Sequence, residues 1–280
     1  MAIKLIVTDL DGTFLNSNHV TIPKENIEAF RKAHEMGVKV AIASGRTKIL
    51  TDYLVEQLPF LDYLITSNGA ITYDLHTGKV VCSTLMNNSQ SIEIFNILDE
   101  YGLPYEIYFD GDCYMNSQSY AMFDEEHVAP HIFKLLSNFI KEVPSLEMLL
   151  DGKGMEKLNI LSLTSKQRTE LEEKISKTGN VAFASSFPMS SGKNGNLEMT
   201  DKNATKGFAV KGLCDALNIS SENVMCFGDG ENDCPMLEYA DFSFAMANGN
   251  DLAKSTAKFI TDTNDNAGVA RAINKYVFGE

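Results

Sequence analysis

The chain has 280 residues, of which 44% are hydrophobic and 22% charged, and its formal net charge at pH 7 is −14. This length predicts two domains, and the acidic balance argues against nucleic acid or an anionic membrane as partners. No apolar run approaches the ~20 residues that span a bilayer, and no signal peptide is expected. The five cysteines lack Cys-x-x-Cys spacing, which argues against disulfides and zinc and favours the cytoplasm.

The first predicted strand spans residues 3–7, which are apolar except for Lys4 and do not alternate, as is typical of a strand buried on both faces. Two acids, Asp9 and Asp11, follow this strand. A helix is predicted from about residue 23 to 36, and a second apolar strand covers residues 38–43. Strand, helix and strand at this spacing predict a right-handed βαβ unit with parallel strands. Ligand sites in such sheets lie beyond the carboxyl ends of the strands, where both acids fall.

Small polar residues follow the next two strands in the same way. Ser44 and Gly45 come directly after the second strand, and a third strand at 62–66 ends in another polar cluster at 67–70. A helix is predicted between the second and third strands, from about residue 47 to 58. The edge of the sheet that carries the two acids is therefore predicted to offer hydroxyl and backbone N–H donors as well.

The pattern changes from about residue 71, where a hairpin is followed by short strands and helices in mixed order. Such a mixture indicates an α+β module inserted into a Rossmann-like α/β core with a parallel sheet. We predict the core at residues 1–83 and 191–280 and the inserted cap at 84–190. The polar segment 190–196 is the predicted linker on the return side.

Within the cap, periodicity predicts both helices and strands. The predicted helices are 89–101, 132–140 and 166–177, and the predicted strands are 105–110, 113–116, 155–163 and 181–185. Aromatic residues are frequent here, and we expect them to pack the core of the cap, with one or two facing a substrate. They are Tyr105, Tyr108, Phe109, Tyr114 and Tyr120.

The α/β pattern resumes with a helix that opens at about Lys206 and a continuous apolar strand at 223–227. This strand runs into the acidic segment 228–233, GDGEND. Four or five carboxylates that meet at one sheet edge repel one another, so either a cation lies among them or some of their pKa values rise. Oxygen ligands without nearby His or Cys favour Mg²⁺ over zinc.

A phosphate group bound at this edge needs hydrogen-bond donors and positive charge. Ser44 offers a hydroxyl, Gly45 a backbone N–H and Asn232 an amide, while Lys206 offers a positive charge at a helix N-terminus, which itself favours anions. A carboxylate that faces a metal-bound phosphoryl group can attack it and form an aspartyl phosphate. The metal and the lysine then offset charge on the phosphoryl oxygens, which is the main requirement of phosphoryl transfer.

Four segments resemble the motifs of the haloacid dehalogenase superfamily, in the same order and at similar spacing. Residues 9–13, DLDGT, are similar to its first motif, residues 44–46, SGR, to its second, Lys206 to its third and residues 228–233 to its fourth. The insertion between the second and third motifs resembles the α/β cap of the Cof-type phosphatases. Residues 199–205 depart from this subfamily because they lack its proline-containing stretch.

The resemblance implies a role for each of these residues. It implies that Asp9 is the nucleophile and a Mg²⁺ ligand. Asp11 is the general acid and then the base, and its backbone carbonyl binds the metal. Asp229 is a further Mg²⁺ ligand, and Asp233 orients either the metal's waters or Lys206. Phosphate binding is assigned to Leu10, Ser44, Gly45, Lys206 and Asn232.

Other residues near these motifs have open or ordinary roles. Arg46 either touches the substrate or pairs with a surface acid, and Asn68 either lines the site or serves a tight turn. Glu231 is expected to be solvated. Cys226 and Cys234 are expected to be packing residues, since thiols are often buried. The five histidines show no metal-ligand spacing and are all expected to be structural or on the surface.

The predicted function is Mg²⁺-dependent hydrolysis of a small phosphorylated metabolite, which is a sugar phosphate, a nucleotide or a cofactor phosphate. The cap is expected to close over the core and select the leaving group. A phosphomutase is one alternative, and a slowly turning phospho-accepting regulatory module is another, which Asp11 and the cap disfavour. Ion-pumping ATPases with an aspartyl phosphate need membrane spans that this sequence lacks. A monomer or weak homo-oligomer is expected.

Overall fold

A computed structural model describes most of the chain as two compact units. The described residues are 2–124, 133–134, 136–185 and 195–280. The first unit comprises Met1–Arg46, Leu50–Ser83 and Ala204–Glu280. The second unit comprises Thr47–Ile49 and Thr84–Asn203. The chain therefore returns to the first unit at residue 204, whereas the sequence places this boundary at 191.

Strands form the frame of both units. Numbered along the chain, they are β1 (Leu5–Thr8), β2 (Lys39–Ala43), β3 (Tyr63–Thr66), β4 (Ile71–Asp74), β5 (Val80–Ser83), β6 (Tyr105–Phe109), β7 (Asp112–Asn116), β8 (Ile140–Val143), β9 (Lys157–Leu163), β10 (Val181–Ala184), β11 (Gly195–Asp201), β12 (Val224–Gly228), β13 (Phe242–Ala245) and β14 (Phe259–Ile260). The first unit contains β1–β5 and β12–β14, and the second contains β6–β11. This is the predicted α/β architecture with an inserted α+β module.

Helices and short turns connect these strands. The helices are α1 (Lys24–Glu35), α2 (Asp52–Val55), α3 (Asn88–Tyr101), α4 (Ser117–Ala121), α5 (Leu146–Leu150), α6 (Ser165–Ile175), α7 (Lys206–Leu217), α8 (Cys234–Tyr239), α9 (Asp251–Thr256) and α10 (Gly268–Ile273). Wider helical turns occur at Leu10–Phe14 and Asn274–Phe278. Within the described part of the chain, no helix has both the length and the apolar character needed to cross a bilayer.

The eight strands of the first unit form one sheet in the order β14-β13-β12-β1-β2-β3-β4-β5. Strand β1 pairs in parallel with β12 on one side and with β2 on the other. In this register Thr8 lies opposite both Phe227 and Ile42, so the three strands end at nearly the same level. The residues that follow them, Asp9 and Asp229 among them, therefore meet at the carboxyl edge of the sheet, as the sequence predicts.

Both faces of the sheet are buried at its central strands, which explains the apolar run of β1. Ile6 belongs to a hydrophobic cluster that includes residues of α1 and α10, while Leu5 and Val7 belong to a second cluster with residues of α7 and α8. Alternate residues of a strand point to opposite faces, so a strand covered on both sides has no polar position. Each such buried aliphatic side chain contributes about 1.5–3 kcal/mol of transfer free energy.

One helix of the first unit is much shorter than predicted. The sequence predicts a helix over 47–58, but the structure has a 3₁₀ turn at Lys48–Leu50 followed by the single turn α2. Leu54 is the buried residue of α2, whereas Ile49 and Leu50 are only half-buried. Leu58, which follows α2, is buried as well, but the bonds that lead to it are of the tighter 3₁₀ type, from the Gln57 N–H to the Leu54 carbonyl and from the Leu58 N–H to the Val55 carbonyl.

The second unit has a six-stranded sheet in the order β10-β11-β9-β6-β7-β8. One face packs in a hydrophobic cluster with α3 and α6, which contribute Leu98 and Leu171. The sequence predicts a linker at 190–196, but residue 195 begins β11, which pairs with both β10 and β9. Only every second side chain of β11 packs on the hydrophobic cluster, so the strand lacks a continuous apolar run.

Strand β8 also differs from the prediction. The sequence predicts a helix over 132–140, part of which lies outside the described residues. Ile140 instead begins β8, which pairs in parallel with β7. The two central residues of this edge strand, Lys141 and Glu142, are exposed, so no alternation of apolar residues marks it in the sequence.

The other face of the second sheet carries buried polar side chains. Glu106 accepts hydrogen bonds from the Tyr108 hydroxyl at 2.7 Å and from Asn159 Nδ2 at 3.1 Å. Asn196 Nδ2 in turn donates to Asn159 Oδ1 at 3.0 Å. Burial raises the pKa of Glu106 to about 7. Of the five aromatic residues expected to pack the cap, four are buried or half-buried, and Tyr120 is 42% exposed.

Asp62 lies just before β3 and joins the ends of several elements of the first unit. Its buried carboxylate accepts hydrogen bonds from Lys39 Nζ at 2.8 Å and from the Val40 N–H at 2.9 Å, and it lies 3.1 Å from His34 Nδ1. Burial alone would raise the pKa of Asp62, but these hydrogen bonds hold it below its usual range. We expect Asp62→Asn to lower the free energy of unfolding by roughly 2–4 kcal/mol, as measured by chemical denaturation at pH 7.

The control for this prediction is Asp215→Asn, because Asp215 is an exposed residue that pairs with Lys211 on its own helix. Its effect should stay within about 0.5 kcal/mol. The contribution of Asp62 is present above the ordinary carboxyl pKa and is lost as the pH falls through its lowered pKa in the folded protein. The difference between wild type and Asp62→Asn should therefore shrink in acid, and equal stability at pH 7 would contradict the assignment.

Candidate active site

Asp9 and Lys206 form the centre of the site. Asp9 directly follows β1, and its N–H donates to the carbonyl of Phe227 on β12 at 2.9 Å. Lys206 is the first residue of α7, and its side chain is completely buried. Its Nζ donates to Asp9 Oδ1 and, at 2.6 Å, to Asp233 Oδ1. The ends of β1, β12 and α7 therefore hold one ammonium group between two carboxylates.

Asp233 uses both of its carboxylate oxygens to organise the turn after β12. Oδ2 accepts the backbone N–H groups of Asp229 at 2.8 Å and of Gly230 at 2.9 Å, while Oδ1 accepts from Lys206. The residue is completely buried. Hydrogen bonds to an ionised acceptor are short and strong, so Asp233 fixes the loop and the lysine together. This geometry is the one that Asp233 requires in order to orient Lys206, and that role stays a prediction.

Asp229 approaches Asp9 from the end of β12 and is held by the first motif. Thr13 Oγ1 donates to Asp229 Oδ1 at 2.6 Å, although the two residues are 216 positions apart. Gly12 has a φ of +77°, and a Cβ at this position would lie 2.4 Å from Asp229 Oδ2. Both the backbone conformation and the close approach therefore require glycine.

The acids raise one another's pKa values. Burial, followed by the charge of Asp233 and, more weakly, of Asp229, raises the pKa of Asp9 well above its ordinary value, against the opposing effect of Lys206. Burial and the charge of Asp233 also raise the pKa of Asp229. Burial disfavours a charged Lys206, but Asp233 and Asp9 outweigh it and raise the pKa of the lysine. The site therefore keeps its ammonium group and still has an excess of carboxylates.

This acid cluster fits a hard divalent cation. One carboxylate oxygen from each of Asp9, Asp229 and Asp233 lies within 4.8 Å of the others. Because Asp233 already binds two backbone N–H groups and Lys206, Asp9 and Asp229 are the carboxylates left to ligate a metal. Mg²⁺ typically takes one or two protein carboxylates and keeps several waters, so this set suits it. The cation would also favour the ionised forms that burial penalises.

Asp11 lies beside the cluster and has its own partners. Arg46 donates from Nε to Asp11 Oδ2 at 2.8 Å and from Nη2 to Asp11 Oδ1 at 2.6 Å. His19 Nδ1 lies 3.1 Å from the same Oδ1. Arg46 thus pairs with a predicted catalytic carboxylate, a partner that neither sequence-based expectation named. His19 is exposed, as expected, and it contacts that carboxylate as well.

The predicted phosphate donors lie at the ends of β2 and β12 and are joined by Asn68. Ser44 is buried, its Oγ accepts the Arg46 N–H at 3.1 Å and its carbonyl accepts the Asn68 N–H at 3.0 Å. Asn232 Nδ2 donates to Asn68 Oδ1 at 3.1 Å. A Cβ at Gly45 would lie 3.0 Å from that same oxygen. Asn68 has a left-handed φ of +58°, so it both forms the tight turn and links two predicted donors.

The remaining residues near the motifs behave largely as the sequence suggests. Leu10 has a side chain buried in the hydrophobic core, so only its backbone is left to bind a ligand. Glu231 is exposed, and Cys226 and Cys234 are buried. The predicted site residues all lie in the first unit, and four of them make one contacting cluster. These four are Asp9, Lys206, Asp229 and Asp233.

Sequence reasoning missed several residues that support the site. Thr13 holds Asp229 and lies inside the first motif, so its position there was an available signal. Asn248 Nδ2 donates to the carbonyl of Gly12 at 2.8 Å. It reaches the site because β13 pairs with β12, and no local pattern around it indicates this. The contact between His19 and Asp11 likewise depends on the path of a loop.

The fold and the site together define an α/β enzyme of the haloacid dehalogenase type, with aspartates around a buried lysine at the carboxyl edge of a largely parallel sheet. A family model described as haloacid dehalogenase-like hydrolase matches residues 6–273. The chain therefore belongs to the haloacid dehalogenase-like hydrolase family. The resemblance seen in the four motifs is confirmed, and so is the prediction that the protein is an enzyme, a phosphatase of this superfamily.

Similar proteins cover the chain almost completely. A 5-amino-6-(5-phospho-D-ribitylamino)uracil phosphatase of Bacillus subtilis is 30% identical over 275 residues, which cover 98% of this chain and 96% of that protein. A second Bacillus subtilis protein of the same description is 29% identical and covers 99% of both chains. A solved haloacid dehalogenase-like hydrolase from Bacteroides thetaiotaomicron has a TM-score of 0.81 at 25% identity, over 98% of this chain and 99% of that one.

Proposed function

We propose that this phosphatase is a Mg²⁺-dependent phosphomonoesterase that forms an aspartyl phosphate on Asp9. The observation that carries the proposal is the buried Lys206 Nζ, which donates to Asp9 Oδ1 while Asp229 lies beside them. A carboxylate nucleophile, a fixed positive charge and oxygen ligands for a cation thereby share one small volume. Phosphoryl transfer depends mainly on such positioning and on stabilisation of charge.

The proposed reaction consists of two displacements at phosphorus. A carboxylate oxygen of Asp9 attacks the phosphorus and the ester P–O bond breaks, while Asp11, protonated on the second lone pair of Oδ2, gives this proton to the leaving oxygen. Water then attacks the phosphorus of the aspartyl phosphate and gives a proton to Asp11, which releases inorganic phosphate and the Asp9 carboxylate. Lys206 offsets charge on the phosphoryl oxygens in both steps. When bound, Mg²⁺ supplies further positive charge to these oxygens.

The proposed substrate is a small metabolite with its phosphate on an alkyl hydroxyl, such as a sugar phosphate, a nucleotide or a cofactor phosphate. Two relatives that cover nearly the whole chain are named for a substrate with the phosphate on a ribityl group. Their identities of 30% and 29% support the same kind of reaction here, and we propose a phosphorylated sugar alcohol or sugar as the substrate of this chain.

Release of inorganic phosphate from a panel of phosphomonoesters tests this function. The panel contains sugar, polyol, nucleotide and cofactor phosphates, each assayed with Mg²⁺ and with Asp9→Asn as the enzyme blank. We expect at least one member to turn over with a kcat on the order of 1–10³ s⁻¹. Release no faster than the blank across the panel would contradict a hydrolase, and transfer of the phosphoryl group to a second substrate position would indicate a phosphomutase.

Dependence on a divalent cation is a separate prediction. Chelation is expected to reduce phosphate release at least ~10²-fold, and Mg²⁺ should restore it, because the excess carboxylate charge of the site otherwise repels the substrate phosphate. Thermal unfolding gives a readout that does not depend on activity. Mg²⁺ binds the folded state and should raise the Tm of the wild type.

The matched variants for this prediction are Asp229→Asn and Asp241→Asn. Asp229 is a proposed ligand, so its variant should lose most of the Mg²⁺-induced rise in Tm. Asp241 is a carboxylate that pairs with Lys258, away from the cluster, and its variant should respond like the wild type. Full activity of the chelated enzyme, or an equal rise in Tm for Asp229→Asn, would contradict the metal assignment.

A further inference from the structure

Arg46 is almost fully committed to partners within the first unit. Its Nε and Nη2 form a fork on the two oxygens of Asp11, at 2.8 and 2.6 Å. Nη2 also donates to the carbonyl of His19 at 3.0 Å, and Nη1 donates to the Tyr53 hydroxyl at 2.9 Å. A guanidinium has five N–H donors, so four of the five are engaged in these contacts. Little donor capacity is left for a phosphate.

The side chain of Asp11 depends on contacts with other residues to stay in one orientation. It follows Leu10 in a wide turn, and its own φ and ψ of −81° and 123° are not helical. Its side chain is 36% exposed, whereas Arg46 is 22% exposed. A carboxylate half in water on a turn has free rotation about its side-chain torsions, and each wrong rotamer moves its oxygens away from a fixed reacting group. A bidentate Arg–carboxylate pair adds geometric specificity that a single contact lacks.

The other two partners of Arg46, Tyr53 and His19, lie on separate elements of the first unit. Tyr53 lies on α2, whereas His19 lies in the loop after the first motif and has a left-handed φ of +58°, which is uncommon for a residue other than glycine. Asn18 Oδ1 accepts hydrogen bonds from the Val20 and Thr21 N–H groups, both at 2.9 Å, and these bonds fix the conformation of the loop. The guanidinium therefore spans elements that are separate in sequence and presents its fork to Asp11 in one orientation.

We propose that Arg46 is the positioning residue that orients Asp11 for proton transfer to the leaving oxygen. This inference rests on the proposed phosphatase reaction, in which Asp11 is the general acid. It gives Arg46 a role that acts through another side chain and does not involve contact with the substrate phosphate. The consequence is specific: loss of Arg46 harms esters whose leaving group needs a proton and spares esters whose leaving group departs as a stable anion.

The test compares two esters in wild type, Arg46→Ala and Arg46→Lys. One ester is the best alkyl phosphate of the wild type, and the other is para-nitrophenyl phosphate, whose phenolate is a good leaving group. For Arg46→Ala, kcat/KM is expected to fall about 10²-fold on the alkyl ester and only a few-fold on the aryl ester. Arg46→Lys keeps the charge without the fork and should show the same selective loss, which also covers the case in which Arg46→Ala fails to fold.

Three further measurements separate positioning from substrate contact. In an Asp11→Asn background, Arg46→Ala should change kcat/KM by less than about twofold, because the carboxylate that it orients is absent. Inhibition by inorganic phosphate should keep the same inhibition constant in Arg46→Ala. Arg31→Ala is the matched control, since Arg31 pairs with Glu35 on the exposed surface of α1, and it should leave both esters unaffected.

The outcomes that overturn the proposal are distinct from those that overturn the proposed function. Equal losses on both esters, an additive loss in the Asp11→Asn background or a tenfold weaker inhibition by phosphate would each assign Arg46 to substrate binding or structure. In all three cases wild-type hydrolysis would persist and the proposed function would stand. If the wild type hydrolysed neither ester with Mg²⁺, the phosphatase reaction would fail, and the role of Arg46 with it.

Discussion

Replacing Asp9 with asparagine is expected to lower kcat for the preferred phosphomonoester by about 10⁴-fold or more. Asparagine has nearly the shape of aspartate, but its amide is a poor nucleophile and forms no stable acyl phosphate. Both displacements of the proposed reaction pass through the Asp9 carboxylate, so no other group of the site replaces it. Steady-state release of inorganic phosphate measures the effect.

Asp9→Asn should at the same time leave the fold at least as stable as the wild type at pH 7. Burial and the charges of Asp233 and Asp229 raise the pKa of Asp9 in the folded protein. A carboxyl group whose pKa is raised in the folded protein destabilises the fold once the pH exceeds the pKa of the same group in the unfolded chain. At pH 7 the ionised form of Asp9 is therefore unfavourable for folding. Chemical denaturation checks this, and an Asp9→Asn enzyme that is stable and within tenfold of wild-type activity would contradict the nucleophile assignment.

Replacing Lys206 with methionine is expected to lower kcat/KM by about 10³-fold, because the phosphoryl oxygens lose a preorganised charge in a buried site. Methionine preserves much of the apolar stem of lysine. The substitution leaves Asp9, Asp229 and Asp233 without their internal cation, and breaking a buried ion pair costs about 3–5 kcal/mol when the partner stays charged. The aspartates then take up protons, so the loss of stability should be larger at pH 8 than at pH 5.

The matched control for this prediction is Lys211→Met on the same helix. Lys211 is exposed and pairs with Asp215 one turn away, at 2.6 Å, so its loss should change stability by less than about 0.5 kcal/mol. Mg²⁺ should recover part of the stability of Lys206→Met, because a cation again faces the carboxylates. A Lys206→Met protein with the activity and the pH profile of Lys211→Met would contradict the role given to the buried lysine.

The sequence predicts the first unit well because the central strands of its sheet are covered on both faces. Residues 5–7 and 224–227 are apolar throughout, and each run is followed within two residues by an acid. The structure has β1 and β12 at these places. Parallel pairing brings the ends of such strands to one edge. The apolar pattern of the two strands and their parallel pairing therefore predict that Asp9 and Asp229 lie close together.

The second unit is harder to predict because one face of its sheet is polar. The first residues of strand β11, Gly195 and Asn196, continue the polar run of residues 190–194, so the sequence predicts a linker where the strand begins. Its place between β9 and β10 depends on strand order, which no local pattern encodes. The shortness of α2 is likewise not marked in the sequence, because the helical spacing of the buried Leu54 and Leu58 continues beyond its last residue.

Within the site, the sequence identifies the individual groups better than their pairings. Asp9 and Asp11 are marked by the motif around them, and Lys206 is marked by its place after the insertion and at the start of a helix. The fork between Arg46 and Asp11 depends on how two loops pass each other, and the contact of Asn248 with Gly12 depends on the pairing of β12 with β13. Supporting residues are therefore found only when the tertiary structure is available.

Trapping the aspartyl phosphate is the most direct test of the proposed reaction. In Asp11→Asn the attacking water lacks its base, so para-nitrophenyl phosphate should phosphorylate the enzyme faster than the intermediate is hydrolysed. After an acid quench, peptide mass mapping is predicted to find one added phosphoryl group on the peptide that contains Asp9, and none in Asp9→Asn. An enzyme that turns over without this adduct, or that carries it on another residue, would contradict the account.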